Sequence, residues 1–253
     1  MTIDGLLDQL GALQADPPSP IAGRVFADVV EAEGPEPVGL LLVAFTDHGI
    51  CYVRPAADPE AVAEEFRDRF RRPLRSATRP PRGLARALRS GRGSGLDYDL
   101  RTLSPFERSV LRTALEIPRG ETRPYAWVAT EVGRPRAVRA AATALGRNPV
   151  PVLIPCHRVV RSDGQEGEYL FGTDVKRRLL AHEDVNLEEA KDLAATGARY
   201  LASETTRVVC YPTCHHARRI AATHRVGFRS LAQALDAGYR ACGHCRPAMA
   251  VST

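Results

Sequence analysis

The chain has 253 residues, 44% of them hydrophobic, which is enough for a sizeable core in one large or two to three small domains and excludes a disordered tail. Six cysteines in that length exclude a disulfide scaffold. Met1-Thr2-Ile3-Asp4 opens no charged-then-apolar leader and no apolar run reaches spanning length, so the expectation is a cytoplasmic protein with no membrane contact, whose net charge of +5 suits a polyanion partner without requiring one.

Residues 1 to about 20 are polar and end in Asp16-Pro17-Pro18-Ser19-Pro20, which reads as an ordered-late or mobile lead-in. The apolar runs Val38–Phe45 and Ile50–Val53 flank Thr46-Asp47-His48-Gly49, which predicts a hairpin with Gly supplying the unusual backbone angle. Cys51 on its second strand reads as a small core hydrophobe. Asp58-Pro59 then caps and opens an amphipathic helix that runs to Phe70. From Arg71 to Gly95 the chain is rich in Arg, Pro and Gly and reads as a solvated basic loop.

Ser104-Pro105-Phe106-Glu107 is a capping box, and helical spacing continues through Leu115 until Ile117-Pro118-Arg119-Gly120 stops it. An all-helical segment is expected from here. Two short helices, Tyr125 to Val132 and Pro135 to Leu145, are separated by Gly133-Arg134, as in a helix-turn-helix. The second would carry Arg136 and Arg139 beside Ala140, Ala141, Ala142 and Ala144. Small residues let a helix approach a groove closely, although they also serve plain helix packing.

Pro155-Cys156-His157-Arg158 puts a thiol next to an imidazole, between an apolar run and a polar one. A cysteine attacks as thiolate and needs a base, and the base needs an orienting carboxylate. Adjacent side chains normally point apart, so His157 would act through a water. A helix through Lys176, Leu179 and Leu180 ends near Glu183, which completes a nucleophile, base and orienter set of Cys156, His157 and Glu183. On spacing alone a Cys-His pair is more often incidental than catalytic.

Asn186-Leu187-Glu188-Glu189 caps a connector helix ending by Gly197. Beyond it, Cys210-x3-Cys214 and Cys242-x2-Cys245 are paired thiols at metal-ligand spacing, in a segment too small for much of a core. A structural zinc ion on Cys210, Cys214, Cys242 and Cys245 is the reading. His215, His216 or His244 in place of one thiol is the less favoured set. Ser230 caps a helix between the pairs that ends at Gly238.

Two resemblances bring these pieces together. The runs Ile117–Thr122, Tyr125, Arg139-Ala140, Asn148, Ile154–Val160, Asp163-Gly164, Tyr169, Gly172 and Lys176–Glu183 resemble the methylated-DNA–protein-cysteine methyltransferases. The upstream hairpin and helix are similar to that family's ribonuclease-H-like amino-terminal domain. The later runs Thr205-Thr206, Cys210–Cys214, Ala217-Arg218, Ala237–Arg240 and Cys242–Pro247 resemble the Ada-type zinc domain, with one extra residue between Cys214 and Ala217.

The first resemblance implies that Cys156 irreversibly takes an alkyl group from O6-alkylguanine, and from O4-alkylthymine, in double-stranded DNA. His157 would be the base, Glu183 its orienter and Asn148 the holder of the turn. Tyr125 would press on a phosphate, Arg139 would fill the stack and Tyr169 would line the base pocket. The lesion would have to flip out of the duplex to be reached. Glu166 and Glu168 depart from that pattern, and acidic groups there would change the loop or repel DNA.

The second resemblance implies that Cys210 accepts methyl from a DNA methylphosphotriester, with Thr206, Arg218 and Arg240 on the backbone. A purely structural zinc clamp, or a protein that binds lesions without transfer, is the alternative.

The expected fold class is α+β in three domains, in a monomer. Residues 1–98 form the ribonuclease-H-like domain with its basic loop. Residues 99–185 form a winged helix-turn-helix-like alkyltransferase domain, and 186–253 the connector and zinc-stapled module.

Overall fold

The structure, a computed structural model, describes residues 25–248, so the lead-in expected before residue 20 lies outside the described residues. Strands β1 (Ala27–Glu33), β2 (Leu40–Thr46) and β3 (Gly49–Pro55) form an antiparallel meander, and β4 (Leu74–Ser76) joins β1 in parallel, giving the order β3-β2-β1-β4. The β2–β3 turn falls where Gly was expected to allow it. Gly49 has φ +119°, and a Cβ there would sit 2.3 Å from the Asp97 carbonyl oxygen. Helix α1 (Pro59–Phe70) is capped by Asp58, which accepts from the Ala61 amide at 3.0 Å. It packs Phe66 edge-on against Tyr52 of β3, on the same face as buried Cys51.

The stretch from Arg71 to Gly95 is not a solvated loop throughout. It contains β4 and helix α2 (Leu84–Ser90), which buries Leu84, Ala87 and Leu88. Their i, i+3, i+4 spacing is an amphipathic signal that the surrounding arginines conceal.

Helix α3 (Pro105–Leu115) starts at the predicted capping box, with Ser104 Oγ accepting from the Glu107 amide and the Glu107 carboxylate accepting from the Ser104 amide. The next segment is not wholly helical, because β5 (Arg123–Pro124) pairs in parallel with β6 (Val159–Val160). Helices α4 (Tyr125–Glu131) and α5 (Val138–Gly146) turn at Gly133, whose φ is +71°. The second begins three residues later than expected, so Arg136 lies ahead of the helix and only Arg139 is on it. Helix α6 (Thr173–His182) follows the loop after β6.

Asn186 caps α7 (Leu187–Ala195), accepting from the Glu189 amide. Strands β7 (Tyr200–Ser203), β8 (Val208–Cys210), β9 (Arg225–Phe228) and β10 (Arg240–Ala241) form a second sheet in the order β10-β8-β7-β9. Two short helices accompany it, α8 (His215–Arg218) and α9 (Leu231–Asp236), the latter capped by Ser230. One cluster of buried apolar residues runs from Val30 and Leu41 through Val110 and Trp127 to Ala202 and Val209, so the halves of the chain share a core. No helix among the described residues is long and apolar enough to cross a membrane.

Candidate active site and metal centre

Cys156, His157 and Arg158 make a single 3-10 turn between the Asn148–Ile154 bend and β6, and all three side chains are buried. Asn148 organises the bend. Its Oδ1 accepts from the Val150 amide at 2.9 Å, while its Nδ2 donates to the Ile154 carbonyl at 2.9 Å and to Cys156 Sγ at 3.2 Å. Val152 adopts φ +72°, a conformation costly for a β-branched residue and sustained here by the tight Pro151–Ile154 bridge.

His157 and Glu183 do meet: Nε2 is 3.1 Å from Oε1. With Nε2–H donated to the carboxylate, Nδ1 carries the lone pair, and it has no hydrogen-bond partner among the described residues. Sequence reasoning gave no role to Arg158, yet it holds Glu183 by two bonds and anchors itself to the carbonyls of Ile117 at 2.8 Å and Gly91 at 2.6 Å. Burial pushes the Glu183 carboxyl up, but the Arg158 and His157 hydrogen bonds outweigh it and bring the carboxyl down to about 2. Burial also raises the Cys156 thiol, against the lowering donor of Asn148, and lowers His157. The resting pair is therefore a neutral thiol beside a neutral imidazole.

Cys156 opens on a cleft of about 590 Å³ lined by Tyr125, Thr143, Arg147, Arg161, Glu168 and Tyr169. The Tyr169 ring lies 6.1 Å from His157 and is edge-on to Phe171. Lys176, also without a role in the sequence reading beyond marking its helix, is fully buried. It donates to the Val159 carbonyl at 2.6 Å, and burial brings it down to about 8.

Glu166 and Glu168 behave differently from one another. Glu166 is turned inward, its Oε1 3.0 Å from Arg177 Nε and 3.2 Å from Lys191 Nζ, which ties the loop to α6 and α7. Glu168 is exposed at the cleft. Arg139 does not line the Cys156 cleft. It lies on a neighbouring one of about 350 Å³, between α4–α5 and the carboxy-terminal segment, with Arg161, Arg199 and Arg229.

The four cysteines converge. Their sulfurs all lie within 4.8 Å of one another, all are buried and none is in a disulfide. The parallel register of β8 and β10, Arg240 with Val208 and Ala241 with Val209, brings Cys210 and Cys242 alongside, and Cys214 caps α8. The Cys210 and Cys245 thiols beside it hold Cys214 well below the usual thiol range. Four thiolates with no histidine fit tetrahedral zinc.

Beside Cys210 is a cleft of about 570 Å³ that includes Thr206, Arg219, His216, His224 and Arg240. Arg218 is elsewhere. Its guanidinium donates to the Asp184 carbonyl at 3.3 Å and lines a separate cleft with Arg92 and Arg119. The extra residue before Ala217 accounts for this, since one added position turns a short helix by about 100°.

The two halves of the site are joined by polar contacts between the Ile117–Thr122 run and the cysteine module. The Thr122 amide donates to Thr213 Oγ1 at 3.0 Å, and that hydroxyl donates to the Thr122 carbonyl. Glu121, buried, accepts from Arg123 at 2.6 Å on Oε2 and faces His215 and His244 with Oε1. Only the motif around Pro118 hinted that Glu121 mattered.

The profile of the 6-O-methylguanine DNA methyltransferase DNA binding domain matches residues 105–185, and that of the metal binding domain of Ada matches 186–248. A methylated-DNA–protein-cysteine methyltransferase of Methanosarcina acetivorans is 33% identical over 153 residues, covering 57% of this chain and 91% of that protein. The chain belongs to the methylated-DNA–protein-cysteine methyltransferase family. The member from Methanothermobacter thermautotrophicus is 44% identical over 118 residues, 43% of this chain and 66% of its own length. The Escherichia coli bifunctional transcriptional activator/DNA repair enzyme Ada is 33% identical over 161 residues, 60% of this chain and 44% of that protein. The chain spans between about half and two thirds of several curated relatives in this family.

Proposed function

We propose that this family member repairs alkylated double-stranded DNA by moving the alkyl group from O6-alkylguanine, and from O4-alkylthymine, to Cys156. The observation that carries the reading is a pair of hydrogen-bonded sets on one buried turn, Asn148–Cys156 and His157–Glu183–Arg158, behind an open cleft. The thiol proton passes toward His157 Nδ1, the sulfur attacks the alkyl carbon, the carbon–oxygen bond breaks, and the base oxygen keeps the electron pair. Glu183 stabilises the imidazolium that forms. Asn148 donates to the sulfur as it becomes anionic. The thioether product has no good leaving group, so each chain acts once.

Flipping the lesion into the cleft is required because an alkyl carbon inside the stack is out of reach. Tyr125 would press on a backbone phosphate, Arg139 would fill the vacated place in the stack, Tyr169 would line the base pocket, and Arg136 would hold the duplex beside the α4–α5 turn. Backbone phosphates supply salt-sensitive binding.

Cys210, Cys214, Cys242 and Cys245 would hold one zinc ion, which keeps the thiols ionised and staples a small core. Cys210, on the cleft with Thr206, Arg240 and Arg219, would accept methyl from a methylphosphotriester, forming sulfur–carbon and releasing the phosphodiester. Arg219 takes the phosphate-facing role that the resemblance assigned to Arg218.

Domain divisions after residues 98 and 185, a ribonuclease-H-like first domain, a winged helix-turn-helix-like second, a monomeric state and a cytoplasmic location complete the proposal.

Intact mass after incubation with O6-methylguanine duplex tests it. One added methyl is expected, located by peptide mapping at Cys156 and absent in Cys156→Ala; undiminished transfer in that variant would sink the assignment. A methylphosphotriester duplex should label Cys210 instead.

A further inference from the structure

Next to the four-cysteine cluster is a second convergence of ligand atoms. Glu121 Oε1, His215 Nδ1, His244 Nε2 and Cys214 Sγ all lie within 4.8 Å of one another, and Oε1 is 3.0 Å from each imidazole nitrogen. The three residues come from separate places, the α3–β5 connection, the start of α8 and the turn after β10.

Three observations distinguish this group from a carboxylate that merely collects hydrogen bonds. First, Glu121 is 2% exposed and its other oxygen is fixed by Arg123, so Oε1 is aimed and not free to swing. Second, the two rings stand nearly perpendicular, centroids 4.3 Å apart at 81°, and present different nitrogens to one point. This is how imidazoles arrange around a shared ion, whose ligand atoms at bond lengths of 2.0–2.2 Å lie roughly 3.3 Å apart. Third, the histidine side chains keep about a third of their surface exposed, which leaves an entry path. The His215 amide donates to the same Oε1 at 3.1 Å, the outer hydrogen bond expected of a ligating carboxylate.

Charge points the same way. Four buried thiolates and the Glu121 carboxylate, set against Arg123 and a single zinc ion, leave two negative charges without a partner in a poorly solvated place. A second divalent ion would cancel them.

We propose that Glu121, His215 and His244 hold a second zinc ion, with Cys214 shared between the two metals. Imidazole and carboxylate with one thiolate are donors that a borderline ion such as zinc accepts. The ion would cross-link the connection after α3 to both ligand loops of the cysteine cluster, making metal loading the fastening between the two halves of the chain.

The test is metal stoichiometry on the full chain, loaded with zinc under reducing conditions and measured by native mass and elemental analysis. Two zinc ions per chain are expected, falling to one in Glu121→Gln and in His244→Ala. Cobalt substitution of the unaltered chain checks the result without a variant: the sulfur-to-metal absorption should rise steeply over the first equivalent and by a smaller step over the second, whose ion has only the shared thiolate, while the ligand-field bands grow through both. A single zinc per chain would overturn the proposal, as would two that persist in both variants.

Discussion

Arg158 grips Glu183 with two hydrogen bonds, Nε to Oε2 at 2.8 Å and Nη2 to Oε1 at 2.7 Å, so the carboxylate that faces His157 is positioned by the very next residue in the chain. The pair is buried, and removing one partner leaves a charge with nothing to meet it. Arg158→Met is expected to destabilise the chain by about 3–5 kcal/mol in urea unfolding. Transfer to Cys156 should slow even under conditions where the variant is folded, because Glu183 is then free to rotate away from the imidazole.

Glu183 also sets an acid limit. Its carboxyl stands at about 2 in the folded chain against an ordinary value of 4.5, so the stabilisation is fully present above pH 4.5 and disappears as pH falls toward 2. The shift corresponds to about 3 kcal/mol. Unfolding free energy measured across that window should fall steeply, and Glu183→Gln should flatten the slope there. An unchanged slope in the variant would show that other carboxylates carry the acid sensitivity.

Glu166 faces inward on Arg177 and Lys191, so its charge is already matched and does not confront DNA. Both cations are partly solvated, and Glu166→Gln should cost no more than about 1 kcal/mol. Lesion-free duplex should bind with unchanged affinity at low salt. The altered quantity should be loop order, read as faster amide exchange in residues 163–170.

Arg219 and Arg218 separate by position. Arg219→Ala should weaken binding of the chain to a methylphosphotriester duplex and reduce the salt slope by about one. Arg218→Ala should leave that slope unchanged, since its guanidinium is directed to the Asp184 carbonyl.

Local signals in the sequence carried much of the fold. The hairpin at Thr46–Gly49, the caps at Asp58, Ser104, Asn186 and Ser230 and the cysteine pairs each depend on a few neighbouring residues, and each element forms where those residues lie. Helix α2 is hard to read in the sequence because its three apolar positions, Leu84, Ala87 and Leu88, lie among arginines. Strands β5 and β6 are two residues each and exist only because the chain returns 36 positions later.

The site followed the same rule. Cys156 and His157 stand out from their neighbours, but on spacing alone such a pair is more often incidental, and Glu183 joins it only if the helix after Lys176 folds back over the loop. Arg158, Lys176 and Glu121 take their roles from partners that include residues 17 to 123 positions distant, which no local spacing encodes.

Gly93 sits against the Leu153 carbonyl so closely that a Cβ would lie 2.1 Å from its oxygen, and Gly91 offers its own carbonyl to Arg158. The segment behind α2 is thus the back wall of the bend that carries Cys156. Cleaving the polypeptide near residue 98 would therefore not liberate a self-sufficient catalytic half. It would strip an acceptor from Arg158 and uncover the loop from behind, so the upstream half is mechanical bracing for the reactive thiol.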